Sequence, residues 1–219
     1  MAMRAAAFRG GTGDDGDAFD DHCRHVMVED AAGRLVASFR LSVVTADGLG
    51  QTYAAQFHDL SPLAARGGPF AEMGRLCLRA GPPDPDALRL AWGAITVLAD
   101  EAGVRMLIGC TSFPGTDPAP HAEALALLRD RHLAPADWRP RCRAAAALPL
   151  PGHAPDPAAA LRQMPPLMRS YLAMGARVGD HAVADADLGT LHVFTGLEVA
   201  AIPPARLRAL RALGAALPR

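Results

Sequence analysis

Two residue types are missing from this chain, lysine and asparagine, and all 22 basic residues are arginine. We attribute this to a GC-rich genome, because the codons for both missing residues are rich in A and T. The absence excludes lysine as a Schiff base or general base. The formal net charge of −1 argues against a nucleic-acid-binding protein.

Long hydrophobic runs and closely paired cysteines are also missing. No stretch reaches the roughly 18 uninterrupted apolar residues that a membrane-spanning helix requires, and the first eight residues turn polar too soon for a signal peptide. The four cysteines are widely spaced, at Cys23, Cys77, Cys110 and Cys142. Without a CxxC pair, they predict reduced and mostly buried thiols in a cytoplasmic protein.

The pattern of hydrophobic residues predicts one α/β domain. The chain has 219 residues, half of them hydrophobic, which is enough for a sizeable core. We predict strands over 25–30, 33–44, 52–57, 70–79, 104–112, 176–185 and 190–202, and helices over 2–9, 86–102, 117–133, 158–163, 167–174 and 204–217. This order indicates a mixed central sheet with helices on both faces. We assign residues 1–203 to the domain and 204–219 to a C-terminal helix.

The turn at residues 80–86 joins a predicted strand to a predicted helix. Acyl-transfer enzymes often hold the phosphates of coenzyme A at such a turn, through free backbone N–H groups. Here three prolines remove three of those donors. Asp84 is placed to cap the helix that begins at Pro85, and its carboxylate would repel a pyrophosphate. The turn therefore indicates an acyl-transfer scaffold that does not bind a nucleotide at this point.

Several motifs spread over residues 8–202 carry a family resemblance. They are Phe19-Asp-Asp-His-Cys-Arg-His25, Glu72-Met-Gly-Arg75, Gly109-Cys-Thr-Ser-Phe-Pro-Gly-Thr-Asp-Pro118 with His121, His132-Leu-Ala-Pro135, and the segment from Leu161 to Asp180. Together they resemble the ornithine lipid synthase family of the GNAT superfamily. The resemblance implies a GNAT-like fold and transfer of a 3-hydroxy fatty acyl group from acyl carrier protein to the α-amine of L-ornithine, giving lyso-ornithine lipid.

The resemblance also implies a cofactor and partners. No cofactor would be bound, because the acyl carrier protein brings its own 4′-phosphopantetheine, which carries one phosphodiester and no ADP. The partners would be the carrier protein and L-ornithine, with peripheral contact to the inner membrane. Two features depart from the family pattern. The chain is expected to begin inside the family's first helix, so either its start is mis-assigned or the domain lacks an edge strand, and His192 stands where an aspartate is expected in the family.

Two alternatives remain open. One is a related transfer from acyl carrier protein to another amino acid, or autoinducer synthesis on the same scaffold. The other is a non-catalytic module that binds a carrier protein or a lipid.

Glu72 is the candidate general base. An α-amine has a pKa of about 8, so a modest base is sufficient to take its proton. Strict alternation would put Glu72 and Arg75 on opposite faces of the strand, but Gly74 between them favours a bulge that turns both toward one cleft. The bulged N–H groups could stabilise the oxyanion. The alternative is a structural ion pair between Glu72 and an arginine.

Other charged residues are candidates for binding the substrate. Arg40 or Arg75 could pair with the ornithine carboxylate, and Asp30 or Asp117 could hold its side-chain ammonium. Asp117 is equally placed to cap a helix. His121 could protonate the leaving thiolate or bind substrate, and a plain hydrogen-bonded histidine is the alternative.

An arginine-rich run predicts a docking patch for the acidic carrier protein. Its members are Arg129, Arg131, Arg139, Arg141 and Arg143. Contact with anionic lipid head groups and a solvated surface are the alternatives. No metal site is predicted, because His22, Cys23 and His25 lack a second pair of ligands.

Overall fold

A computed structural model describes residues 2–11, 13–81 and 85–217. Its strands are β1 (Arg24–Glu29), β2 (Leu35–Val44), β3 (His58–Asp59), β4 (Phe70–Leu78), β5 (Met106–Pro114), β6 (Arg141–Cys142), β7 (Ala147–Pro149), β8 (Arg177–Asp185) and β9 (Thr190–Glu198). Its helices are α1 (Ala2–Phe8), α2 (Ser61–Ala64), α3 (Pro85–Glu101), α4 (Ala122–His132), α5 (Pro157–Gln163), α6 (Pro166–Leu172) and α7 (Pro204–Ala215).

The main sheet has seven strands in the order β1-β2-β4-β5-β9-β8-β7. All neighbours are antiparallel except β4 and β5, which are parallel. Strand β5 lies at the centre, and its nearly continuous apolar run suits a strand that is covered on both faces. The prediction of a mixed sheet is therefore confirmed.

The strands β4 and β5 pair in parallel over only three residues of each strand. The register covers the pairs Phe70–Met106, Ala71–Leu107 and Glu72–Ile108. At Gly109 the strands still touch, since a Cβ there would lie 2.6 Å from the Met73 carbonyl oxygen. Beyond this point a cleft opens between β4 and β5.

A bulge in β4 accompanies this opening. Opposite β2 the register passes from Arg40–Gly74 to Ser38–Cys77, so β4 holds one residue more than its partner. Arg75 has a φ of 52°, a conformation that is uncommon for a residue other than glycine. The bulge predicted from Gly74 is confirmed.

Helices cover both faces of the sheet, and strand alternation separates the two layers. Leu107 of β5 packs in the core with Trp92 and Ile95 of α3. Ile108, on the opposite face, packs with Trp138 and Leu63 of α2. The second layer consists of short elements, namely α2 and the 3₁₀ turns Ala46–Gln51 and Ala54–Gln56.

Helix α7 packs directly on α3. A Cβ at Gly214 would lie 2.6 Å from the Gly93 carbonyl oxygen, so the two glycines let the helix backbones touch. The predicted C-terminal helix thus forms and adds to the α3 layer. Among the described residues, no helix combines the length and apolarity needed to cross a bilayer.

Some local predictions were wrong. Residues 52–57 were expected to be extended, but Ala54–Gln56 forms a 3₁₀ turn, because backbone N–H groups there bind the side chain of Glu72. The helix predicted from residue 117 begins with the 3₁₀ turn Ala119–His121. The strands β6 and β7, inside a proline-rich span, and the helix α2 were missed.

The predicted cap Asp84 lies outside the described residues, together with Pro82 and Pro83. The cysteines are less buried than expected. All four are free, yet only Cys77 is buried and Cys142 is exposed.

Candidate active site

The cleft between β4 and β5 has a volume of about 260 Å³. Its walls come from both strands, from β9 and from α1 and α6. The lining residues are Phe8, Arg40, Tyr53, Glu72, Met73, Gly74, Arg75, Leu76, Cys110, Ser112, Leu167, Leu188 and His192. The cleft therefore combines apolar walls with acidic, basic and thiol side chains.

Glu72 lies at the point where β4 and β5 separate. Its Oε2 accepts the Tyr53 backbone N–H at 2.7 Å, and its Oε1 accepts that of Ala54 at 2.8 Å. The residue is 7% exposed, and this burial raises the pKa of its carboxyl, while the two backbone N–H groups oppose the rise. Both oxygens are thus fixed by main-chain donors, and the group is a stronger base than an exposed glutamate.

Arg40 and Arg75 also line the cleft, as predicted, but each is already paired. Arg40 Nη1 lies 2.8 Å from Oδ1 of Asp20. Arg75 binds Asp15 through Nε and Asp17 through Nη2, each at 3.0 Å. All three carboxylates belong to the segment between α1 and β1, so the arginines hold that segment against β2 and β4.

This cluster of arginine and aspartate was missed from the sequence. Asp15 is fully buried and also accepts Arg4 Nε at 3.0 Å, and Arg9 joins it at 3.1 Å. The only sequence signal was the density of aspartates between residues 14 and 21. Their partners lie on β2, β4 and α1, and only the tertiary structure brings these elements together.

Tyr53 connects the wall of the cleft to the end of β8. Its hydroxyl donates to Asp185 Oδ2 at 2.7 Å. Burial and this carboxylate raise the pKa of Tyr53 far above its usual value. The phenol is therefore neutral and held in place, and it is a poor acid toward the substrate.

A group of histidines adjoins the cleft on the same face of the sheet. His58 and His192 are buried, with ring centroids 5.6 Å apart. His58 Nδ1 lies 2.9 Å from Nε2 of His181, and His181 Nδ1 lies 2.8 Å from Asp180. The ligand atoms of His58, His192 and Cys110 all lie within 4.8 Å of one another, so these three residues could hold a metal ion.

Three predicted site residues do not line this cleft. Asp30 stabilises the β1–β2 turn and pairs with Arg34 at 2.7 Å. Asp117 accepts the Ala119 N–H at 2.9 Å, as the capping alternative predicts. His121 is buried and donates from Nε2 to the Pro114 carbonyl at 2.8 Å, so the interpretation as a structural histidine fits its position.

The arginine run divides into two sets. Three of the arginines donate to backbone carbonyls and so stabilise local structure. Arg129 donates to the carbonyl of Leu150, Arg139 donates to the carbonyl of Ala134, and Arg143 donates to the carbonyl of Ala55. Arg131 and Arg141 have side chains that are 60% and 74% exposed. These two are the members most available to a partner.

Comparison with known proteins agrees with this geometry. A family described as "Acetyltransferase (GNAT) domain" matches residues 2–93. An L-ornithine N(alpha)-acyltransferase of Rhodobacter capsulatus is 35% identical over 196 residues, covering 85% of this chain and 75% of the relative. The protein of the same name from Agrobacterium fabrum is 33% identical over 205 residues, covering 86% of this chain and 68% of that relative.

The chain belongs to the L-ornithine N(alpha)-acyltransferase family. It is therefore an acyltransferase, which removes the alternative of a non-catalytic module.

Solved structures of low sequence identity share the fold. FeeM, an N-acyl amino acid synthase from uncultured soil microbes, superposes with a TM-score of 0.52 at 10% identity, over 90% of this chain and 87% of FeeM. TofI, in a ternary complex with an inhibitor and MTA, superposes with a TM-score of 0.51 at 18% identity. The superposition covers 97% of this chain and 88% of the TofI chain. These matches confirm the GNAT-like fold that the sequence predicted.

Proposed function

We propose that this acyltransferase moves a 3-hydroxy fatty acyl group from acyl carrier protein to the α-amine of L-ornithine and releases lyso-ornithine lipid. The acceptor is supported by the relatives named L-ornithine N(alpha)-acyltransferase. The observation that carries the proposal is the position of Glu72, a buried carboxylate at the point where β4 and β5 separate.

In the proposed reaction the neutral amine attacks the thioester carbon. Glu72 takes the proton that the nitrogen loses as the new C–N bond forms. The C–S bond then breaks, and the departing thiolate can accept that proton. Because burial raises the pKa of Glu72, its proton affinity lies closer to that of the amine, which favours transfer.

The bulge after Gly74 would supply the electrophilic part of the site. Arg75 lies in a left-handed backbone conformation, at a point where β4 no longer pairs with β5. N–H groups there are not used by that strand pair and could donate to the oxyanion of the tetrahedral intermediate. Arg75 and Arg40 would contribute positive charge near the ornithine carboxylate and, through Asp15 and Asp17, would keep the N-terminal segment in place.

A carrier-bound donor is supported by two features. Three prolines follow β4 in the sequence, at Pro82, Pro83 and Pro85, and they lack the N–H groups that a pyrophosphate would require. Arg131 and Arg141 offer exposed positive charge to an acidic carrier protein. Anionic lipid head groups could use the same charge, and that would give the enzyme a peripheral membrane contact.

The decisive experiment is an assay of the purified protein with 3-hydroxyacyl carrier protein and a panel of acceptors. We expect N-acylation of L-ornithine and little product from glutamine, glycine, lysine or S-adenosylmethionine. The same acyl group on coenzyme A should be a poorer donor. A preference for another acceptor would overturn the ornithine assignment, and equal use of the coenzyme A thioester would overturn the carrier assignment.

A further inference from the structure

We propose that His58, Cys110 and His192 form a binding site for a divalent transition metal ion of the zinc class, adjoining the cleft. Two imidazoles and a thiolate are a ligand set that Zn²⁺ prefers. The site is new relative to the acyl-transfer chemistry described above and does not depend on it.

The three ligands come from separate elements that fold onto one face of the sheet. Cys110 lies on β5 and His192 on the neighbouring β9, while His58 is supplied by β3 from the layer of short elements. Their ligand atoms all lie within 4.8 Å of one another. Closing the site around an ion with bonds of 2.0–2.3 Å therefore needs shifts of only about 1 Å.

Three of the four ring nitrogens of His58 and His192 have no hydrogen-bond partner among the described residues. Nε2 of His58 and both ring nitrogens of His192 are buried and make no hydrogen bond to any described residue. His58 is 0% exposed and His192 is 1% exposed. A buried polar atom without a partner is destabilising, and coordination of an ion would remove that cost.

A chain of hydrogen bonds selects the tautomer of His58 that a metal requires. The Asp180 carboxylate can only accept, so Nδ1 of His181 carries the proton of their 2.8 Å bond. In the neutral His181 ring, Nε2 then accepts from Nδ1–H of His58 at 2.9 Å. The lone pair of His58 is consequently on Nε2, the ring nitrogen that is left free to bind an ion. Carboxylates commonly orient metal-bound histidines, and here Asp180 would do so through His181.

The protonation states of the ligands also suit a metal ion. Burial lowers the pKa of His58 to about 2 and that of His192 to about 4, so both rings are neutral at pH 7. Burial also raises the pKa of the Cys110 thiol, so this group is protonated without a metal. Binding of one ion therefore releases one proton from the thiol, and affinity rises with pH.

The site is open toward the substrate. Cys110 and His192 line the cleft, together with Glu72. Three protein ligands leave the fourth position of a tetrahedral ion to water or to a substrate atom. We expect this position to face the cleft.

The test combines metal analysis with cobalt spectroscopy on the full-length protein. The protein is purified without chelator and its zinc content is measured by mass spectrometry. After chelation it is titrated with Co²⁺. We expect about one zinc per chain, a thiolate-to-cobalt charge-transfer band, and release of one proton per Co²⁺ bound. Absence of zinc together with no charge-transfer band would overturn the proposal.

Variants locate the site. Cys110→Ser should abolish the charge-transfer band, while the matched control Cys142→Ser, which changes an exposed thiol, should retain it. His181→Phe leaves the ligands in place and should weaken Co²⁺ binding by about 10–100-fold. Circular dichroism checks that each variant is folded. A band that persists in Cys110→Ser, or an unchanged affinity in His181→Phe, would contradict the assignment.

Discussion

The backbone nitrogen of Tyr53 lies 2.7 Å from Oε2 of Glu72, although the two residues are 19 positions apart in the chain. Together with the Ala54 N–H it fixes both oxygens of a buried carboxylate. The same short segment is held from outside by Arg143, which donates to the Ala55 carbonyl at 2.9 Å. The candidate base is therefore positioned by main-chain groups of a turn.

Replacing the candidate base tests its role in turnover. Glu72→Gln keeps the size of the side chain but cannot accept a proton, so turnover should fall by about 10²–10⁴-fold with carrier-protein affinity unchanged. Steady-state kinetics and a carrier-binding assay measure the two effects. The rate of the wild type should fall toward acidic pH through protonation of both Glu72 and the substrate amine, whose own pKa is about 8, and only the part due to the amine should remain in the variant. Glu29→Gln, on the exposed side of β1, serves as the control. Wild-type turnover in Glu72→Gln would exclude this residue as the base.

The buried carboxylate of Asp15 should be essential for stability. Asp15→Asn leaves Arg4 and Arg75 without their shared negative partner, and loss of one member of a buried ion pair costs about 3–5 kcal/mol. Urea unfolding measures the change. Asp130→Asn removes only the exposed pair with Arg131 and should leave the midpoint almost unchanged. Equal effects of the two substitutions would contradict the structural role of the cluster.

The contact between β4 and β5 at Gly109 should not tolerate a side chain. A Cβ there would lie 2.6 Å from the Met73 carbonyl oxygen, whereas a Cβ at Gly179 would meet Phe194 at an ordinary 3.5 Å. We expect Gly109→Ala to destabilise the protein by about 1–3 kcal/mol and to lower turnover, because it forces the walls of the cleft apart. Gly179→Ala is the matched control, and thermal unfolding with an activity assay compares them. A fully stable and active Gly109→Ala variant would disprove the close contact.

Acid should destabilise the metal-free protein through His192. Its pKa is lowered from 6.5 to about 4 by burial, so between these values the unfolded chain binds more protons than the folded one. Stability is then complete above pH 6.5 and is lost as the pH falls. This group accounts for about 2 kcal/mol between pH 7 and pH 5. Urea titrations of the chelator-treated protein at both pH values measure the loss, which should be smaller by that amount in His192→Gln. An identical pH dependence in the variant would contradict the prediction.

Charge reversal tests the carrier-docking proposal. The double substitution Arg131→Glu and Arg141→Glu should weaken binding of the acidic carrier protein at least about tenfold and reduce its salt dependence. Arg208→Glu, an exposed change on α7, should have no such effect. Surface plasmon resonance at two salt concentrations measures the affinities, and pelleting with anionic vesicles tests the membrane alternative. Equal binding by the double variant and the control would exclude these arginines as the docking surface.

The sequence alone was sufficient for the elements whose signal is local. The apolar run at 104–112 predicted the strand β5, the helix predicted over 86–102 matches α3, which ends shortly before Gly103, and Gly74 predicted the bulge beside Glu72. These features depend on backbone conformation and hydrophobic periodicity, which neighbouring residues determine. The motifs spread over residues 8–202, taken together, also sufficed to predict the family.

Only the tertiary structure decided which distant side chains pair around the cleft. Asp15 and Asp17 reach Arg75 across about 60 residues of chain, and His58 meets His181 across 123 residues. Neither pairing leaves a periodic trace in the sequence, because a buried ion pair or histidine contact depends on how distant strands are ordered in the sheet. Asp117 and His121, which belong to the motifs, stabilise local structure instead.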